Sequence, residues 1–195
     1  MCGRFALFDE KEVKEINDII REIEERKGIA VNRGEIFPTH QVPILVNKSE
    51  VQSVDAMIWG FPHFKGSGVI INARSETAHE KPMFRKNLAT RRCLIPSTGF
   101  FEWSQKEGKN KKKYLFQLPD THVLYMAGLF NQFNGENRFV ILTTQANDSV
   151  RDVHDRMPVI VQKSYFEDWL FRGDVARDFL LSDEARPLLV RSEAF

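Results

Sequence analysis

Only two of the 195 residues are cysteine, Cys2 and Cys93, too few for a disulfide framework and without the paired spacing of a zinc site. No apolar run approaches the roughly 18 residues that a membrane-crossing helix needs. Residues 1–30 lack the charged, apolar and small-residue succession of a signal peptide, so the expected setting is the cytoplasm. Neither sign of charge is in excess: 28 Lys and Arg face 27 Asp and Glu, so composition alone does not indicate nucleic acid. No repeat, low-complexity segment or linker interrupts the chain, which at this length reads as one domain, residues 1–195. No His/Cys/Asp cluster has a convincing metal spacing, so neither a metal nor a cofactor is expected.

What the chain does have is a hydrophobic content of 42% with 16 Phe, enough for one sizeable core. Val13, Ile16, Ile19, Ile20 and Ile23 repeat at helical spacing, predicting a helix from Asp9 to Lys27. Asp9 is its expected N-cap, Glu12 its N3 partner and Gly28 its stop. From Val42 to Val161 nearly everything reads as strand: "VPILV", "SVDAMIWGF", "GVIINARSE", "RRCLIPSTGFFEW", "KYLFQL", "VLYMAGLF", "NRFVILTT" and "MPVIVQ". Asn134-Gly135 is the best hairpin signal, and "GKNKKK" a second, basic tip or loop. A helix capped by Ser164, with Glu167 completing the box and Gly173 near its end, is followed by a helical "DVARDFLL" and a polar tail. The pattern predicts an α+β fold with an antiparallel, barrel-like β core and a few flanking helices.

Several residues could carry chemistry. Removal of Met1, which a small residue at position 2 permits, leaves Cys2 as a 1,2-aminothiol. Such a group condenses with an aldehyde through its amine, and the thiol then closes a five-membered thiazolidine. The same residue can act as an amidase nucleophile with its own amine as base, or be an exposed end of no consequence. In "INARSE", strand alternation puts Asn72, Arg74 and Glu76 on one face, where Asn can orient an amine and Arg grip a phosphate. An ordinary polar face beside a turn reads equally from those letters. Glu102 lies between Phe101 and Trp103, where apolar surroundings would raise its pKa, or from where it simply faces solvent. His154 precedes "MPVIV" among Asp152, Asp155 and Arg156, which would set its tautomer, or it is a structural turn histidine. Arg4, Arg74, Lys81, Arg85, Lys86, Arg91, Arg92 and the lysines of "KNKKK" recur near aromatic Trp59, Phe61 and Phe64. Cations interleaved with flat rings suit single-stranded nucleic acid, although most charge runs are solvated faces.

In their order, "MCGRF", "WGFP", "INARSET", "MFRK", "RRCLIPSTGFFEW", "MAGLF" and "LTTQAN" leading into "VHDRMPVI" resemble the SOS response-associated peptidase (SRAP) family over roughly residues 1–170. The resemblance implies a cytoplasmic, monomeric DNA-damage protein, nucleoid-associated when acting, that binds single-stranded DNA and captures abasic sites as a thiazolidine. It implies Cys2 as nucleophile, Asn72 positioning the amine, Glu102 handling protons near it, and His154 opening the deoxyribose ring. It also implies Arg4, Arg74, Arg85 and Trp59 as DNA-binding residues, with a structural role in the core "WG" motif as the alternative for Trp59, and a Cys2-dependent autopeptidase removing Met1. The family's usual Asn-Ala-Pro-type segment is replaced by "GEIFPTHQVPIL", which keeps Pro38, and the chain ends "RPLLVRSEAF". The alternative is an N-terminal-nucleophile amidohydrolase or peptidase acting on a small amide, which needs an oxyanion hole instead of a phosphate groove.

Overall fold

Asn134 and Gly135 both take positive φ, 51° and 86°, and pair Phe133 with Glu136 across a two-residue turn, as the dipeptide predicts. The structure, a computed structural model, describes residues 2–8, 13–63, 66–104 and 111–194. In its first half the elements are β1 (Arg4–Leu7), α1 (Lys14–Lys27), β2 (Gly34–Ile36), β3 (Gln41–Lys48), β4 (Val51–Trp59), β5 (Phe61–Pro62), β6 (Val69–Ile70) and β7 (Asn72–Arg74). Then come α2 (Pro82–Thr90), β8 (Arg92–Ser97), β9 (Gly99–Trp103), β10 (Lys113–Gln117), β11 (Leu124–Phe133), β12 (Glu136–Gln145), β13 (Arg156–Pro158), α3 (Phe166–Phe171), α4 (Gly173–Leu181) and β14 (Val190–Ala194).

The α+β architecture is the expected one, with a barrel at its centre. β11 pairs with β8, β8 with β3, β3 with β4 and β4 with β12, and β12 returns to β11. All of these pairings are antiparallel except β4 with β12, where Ile58 and Trp59 meet Arg138 and Phe139 and close the ring. A second sheet runs in the order β14-β10-β9-β1-β2. Thr98 separates β8 in the barrel from β9 in this sheet. Beside it the buried Ser97 hydroxyl accepts the Gly99 N–H at 3.1 Å and has its one proton within reach of the Ala6 and Gly99 carbonyls, while the Thr98 N–H donates to the Ala6 carbonyl at 2.8 Å, so the break leaves these groups partnered. The crossover carries Phe100 to Trp103 out of the barrel wall and beside β1.

Along β12, β7 and β13 take over where β4 and β11 leave off: β7 pairs at Ile141–Thr143 and β13 at Thr143–Gln145. Trp59, Phe5, Phe61, Phe100, Phe116 and Phe139 are fully buried in one core. On α1 the predicted stripe is inward, with Val13, Ile16, Ile20 and Ile23 buried and Gly28 closing the helix at φ 63°. Asp9 and Glu12, expected as its cap and capping partner, lie outside the described residues, as does Phe64.

Four local expectations are corrected. "PMFRKNLAT" is the helix α2, not strand, and its signal was Pro82 at the first turn. Ser164 caps nothing: a 3-10 turn occupies Lys163–Tyr165, and α3 starts at Phe166 without a side-chain cap. Gly173 starts α4 instead of ending the preceding helix. The polar tail is strand β14, exposed along most of its length but paired with β10 from Val190↔Gln117 to Ala194↔Lys113.

Arg92, counted above among the cations near the motifs, is buried and holds the helices to the barrel. Its guanidinium donates to the carbonyls of Leu88 and Ala89 at the end of α2, and to Trp169 and Leu170 in α3. Replacing it with Met should lower the unfolding free energy by about 3 kcal/mol, because those carbonyls lose their donor in a dry setting. Urea denaturation checks this, and a loss under about 1 kcal/mol would remove Arg92 from the framework.

Candidate functional site

Pairing of β1 with β9, Arg4 opposite Phe101, sets Cys2 beside the end of β9. Cys2 is fully buried, so the exposed-end reading does not hold. Its Sγ lies 3.5 Å from the Arg4 carbonyl. Burial first, and then the charge of Glu102, push the thiol well above its usual pKa, so the sulfur is a thiol and not a standing thiolate.

β7 brings Asn72 to the same place. Its amide Nδ2 donates to the Cys2 carbonyl at 3.0 Å, while its Oδ1 is buried with no hydrogen-bond partner among the described residues. Such an acceptor, beside a backbone it already grips, suits a donor that arrives with the reacting state.

Glu102 is 3% exposed on β9, which lies between β1 and β10. Burial, with the charge of Asp155 adding, raises its carboxyl to about 7, so near neutral pH it is present in both protonation states. The solvent-facing alternative therefore fails.

His154 is half-buried just before β13. Its Nδ1 receives the Arg156 backbone N–H at 3.0 Å and lies 2.9 Å from Asp155 Oδ1. One nitrogen cannot serve both contacts as an acceptor and a donor. Burial lowers the pKa of the ring despite Asp155, which selects the neutral imidazole that accepts from Arg156 and carries its proton on Nε2. Asp155 acts on both His154 and Glu102, so the β13 turn and β9 share one electrostatic neighbourhood.

A clamp that the sequence reading passed over fixes this arrangement. Arg156 donates to both Glu76 oxygens, at 2.7 and 2.9 Å, and to the Thr143 carbonyl at 2.6 Å. Burial pushes Glu76 up, but Arg156 outweighs it and leaves the carboxyl below its usual range. The pair ties the residues after β7 to β13 across β12, and so fixes Asn72 relative to His154. Both residues stand inside the quoted motifs; their pairing is long-range and left no local trace.

The expected DNA-binding residues divide. Arg74 is exposed and lines a surface depression with Gln145, Arg151, Asp155 and Arg156, next to His154. Arg4 is half-buried, its Nη1 2.8 Å from Glu35 Oε1 and its guanidinium 4.0 Å over the Phe37 ring. Arg85 is exposed on α2, a helix that packs against β8, β11 and α4. No contact joins it to Cys2, Asn72 or Glu102 among the described residues. Trp59 is a correction: it is fully buried between Phe5 and Phe139, its indole N–H donating to the Ile71 carbonyl at 3.0 Å, and no base can stack on it. Phe61 is equally buried.

Among the described residues no group of three or more His, Cys, Asp or Glu is placed to hold a metal ion, and no helix is long and apolar enough to cross a membrane.

The SOS response associated peptidase (SRAP) family profile matches residues 1–188. The abasic site processing protein YoqW of Bacillus subtilis is 33% identical over 198 residues, covering 93% of this chain and 85% of that protein. The abasic site processing protein YedK of Escherichia coli is 29% identical over 178 residues, covering 87% and 79%. A crystal structure of a protein from Bacteroides thetaiotaomicron superposes with a TM-score of 0.77 at 26% identity, covering 98% of this chain and 91% of that one.

Proposed function

The chain belongs to the SOS response-associated peptidase family, and from that premise we propose that it captures abasic sites in single-stranded DNA as a covalent thiazolidine on Cys2. It acts as one domain, residues 1–195, in the cytoplasm as a monomer without metal or cofactor, in the DNA-damage response. Cys2-dependent autopeptidase activity removes Met1 and frees the amine. The observation that carries the reading is Asn72, whose amide holds the Cys2 carbonyl at 3.0 Å while its buried Oδ1 has no hydrogen-bond partner among the described residues. That oxygen is the acceptor for one N–H of the freed amine.

Neutral His154 gives its Nε2 proton to the ring oxygen of the closed deoxyribose and recovers one there from the C1′ hydroxyl as the ring C–O bond breaks, giving the open aldehyde. The Cys2 amine adds to the aldehyde carbon. Glu102 takes a proton from the nitrogen and delivers one to the departing hydroxyl, which leaves as water and forms the imine. The thiol then adds across the C=N bond: sulfur bonds to carbon, and its proton ends on nitrogen. A thiol pKa raised by burial favours this amine-first order. Arg74, on the surface beside Asp155, takes a flanking phosphate.

The test is a denaturing gel of the Met1-free protein mixed with uracil-containing single-stranded DNA pretreated with uracil-DNA glycosylase. A shifted band is expected, and its absence would end the cross-linking reading. His154→Gln should slow the band's appearance by about 10²-fold on this DNA. On an oligonucleotide carrying an acyclic aldehyde at the lesion the same variant should react at the wild-type rate. Equal slowing on both substrates would remove His154 from ring opening.

A further inference from the structure

Next to Cys2, two cations converge on one carboxylate. Arg4 Nη1 lies 2.8 Å from Glu35 Oε1, and Lys113 Nζ lies 2.7 Å from Glu35 Oε2. Glu35 thus presents one oxygen to each cation while sharing a single negative charge between them. A phosphodiester has the same donor requirement, with two non-bridging oxygens and one shared charge. We propose that Arg4 and Lys113 form a phosphodiester subsite for single-stranded DNA, which the Glu35 carboxylate fills in the free protein and must vacate on binding. The inference rests on the DNA-binding reading above and adds Lys113 as a ligand and Glu35 as the occupant.

Three observations support it. The cations do not depend on Glu35 for their positions: the Arg4 guanidinium lies over Phe37 at 4.0 Å and near Trp103 at 5.4 Å, and Lys113 lies over Phe101 at 4.2 Å and near Trp103 at 5.9 Å. Phe101 and Trp103 stand on β9, away from the strand that carries Glu35, so these supports remain when the carboxylate leaves. The site is also reachable, the side chains of Arg4, Glu35 and Lys113 being 36%, 26% and 17% exposed. Finally, Glu35 sits on β2, a three-residue strand at the edge of its sheet and paired only with β1, where a small shift breaks few backbone bonds. Burial raises the Glu35 carboxyl, but Lys113 and Arg4 more than reverse this, so at neutral pH the occupant is ionised. The subsite also adjoins the chemistry. Lys113 lies opposite Trp103, the neighbour of Glu102, and Arg4 is two residues from Cys2.

Non-covalent affinity for an undamaged single-stranded oligonucleotide, measured by fluorescence anisotropy across a salt series, tests this with Glu35→Gln, Lys113→Gln and the double variant. Glu22→Gln, the same charge change on exposed α1, is the control. Glu35→Gln should bind at least about fivefold tighter than wild type at 0.1 M salt, beyond any gain from Glu22→Gln. The slope of log affinity against log salt should steepen by about 0.7 for each cation made available to single-stranded DNA. Lys113→Gln should bind more weakly with a shallower slope, and should cut the Glu35→Gln gain by at least half on a logarithmic scale. A Glu35→Gln gain no larger than the control's, or one undiminished by Lys113→Gln, overturns the subsite. The denaturing gel run on the same proteins keeps the two readings apart. A covalent band without the affinity gain leaves the capture reading and removes the subsite; the gain without a band does the reverse.

Discussion

Cys2→Ala is expected to abolish the denaturation-resistant adduct on abasic single-stranded DNA, reducing the band by at least about 10²-fold. Cys2→Ala loses the autopeptidase step, so it is prepared with Met1 already removed, which the small alanine permits; the α-amine is then kept and an imine can form, but without sulfur no ring closes. An open imine hydrolyses on denaturation. In the thiazolidine the thiol lies on the carbon next to the amine-bearing carbon, so ring closure is intramolecular and has the large effective concentration of such reactions. The variant should fold. Cys2 is fully buried, but losing one sulfur atom from that site costs about 1 kcal/mol. Borohydride during the reaction should trap the imine and restore a band in Cys2→Ala. A band of wild-type intensity without reductant would show that sulfur takes no part. Cys2→Ser keeps the amine and offers a poorer nucleophile, so its adduct should decay faster than the wild-type one.

Glu102→Gln should have two effects of opposite sign. The rate of adduct formation should fall by about 10²-fold, because an amide can neither accept the amine's proton nor protonate the departing hydroxyl. The wild-type rate should show an inflection near pH 7, from the carboxyl's raised pKa, and the variant should lack it. Stability should move the other way. The folded carboxyl titrates at about 7 against 4.5 for an ordinary glutamate. The protonated group therefore contributes stability that is fully present below about pH 4.5 and is lost as pH rises through 7. A difference of that size corresponds to about 3 kcal/mol. Glutamine remains neutral at every pH. The variant should thus match wild type near pH 4 and exceed it by about 3 kcal/mol at pH 8 in urea denaturation. A variant less stable than wild type at pH 8 would mean that the carboxylate is a structural anchor and not a strained proton carrier.

Much of this was legible in the letters, for reasons that particular residues make plain. Asn134-Gly135 declared its hairpin because a two-residue turn needs positive φ twice, a local demand. The core strands declared themselves through β-branched and aromatic runs, whereas Cys2, Asn72, Glu102 and His154 were singled out by the motifs of the resemblance, each with a plain structural reading beside it. What escaped was non-local. Barrel closure depends on Arg138 and Phe139 of β12 lying parallel to Ile58 and Trp59 of β4, a register without a sequence signature. β14 escaped because its residues are mostly exposed, so no alternation marks it as strand. Trp59 was misread because a surface ring and a core ring are the same letter; only its neighbours Phe5 and Phe139 decide. For the same reason Arg4, read as a free phosphate ligand, proved to be already held by Glu35 from a strand that the sequence had not marked.

The central claim is that amine and thiol of Cys2 both bond to the same carbon of the abasic sugar. Its most direct test is the intact mass of the purified adduct after iodoacetamide treatment in denaturant. The chain has two cysteines, and both are free in the folded protein. A thiazolidine has the mass of the Met1-free protein plus the DNA, less one water, and gains a single alkyl group, on Cys93. An adduct that gains two alkyl groups would have a free Cys2 thiol and would contradict the account.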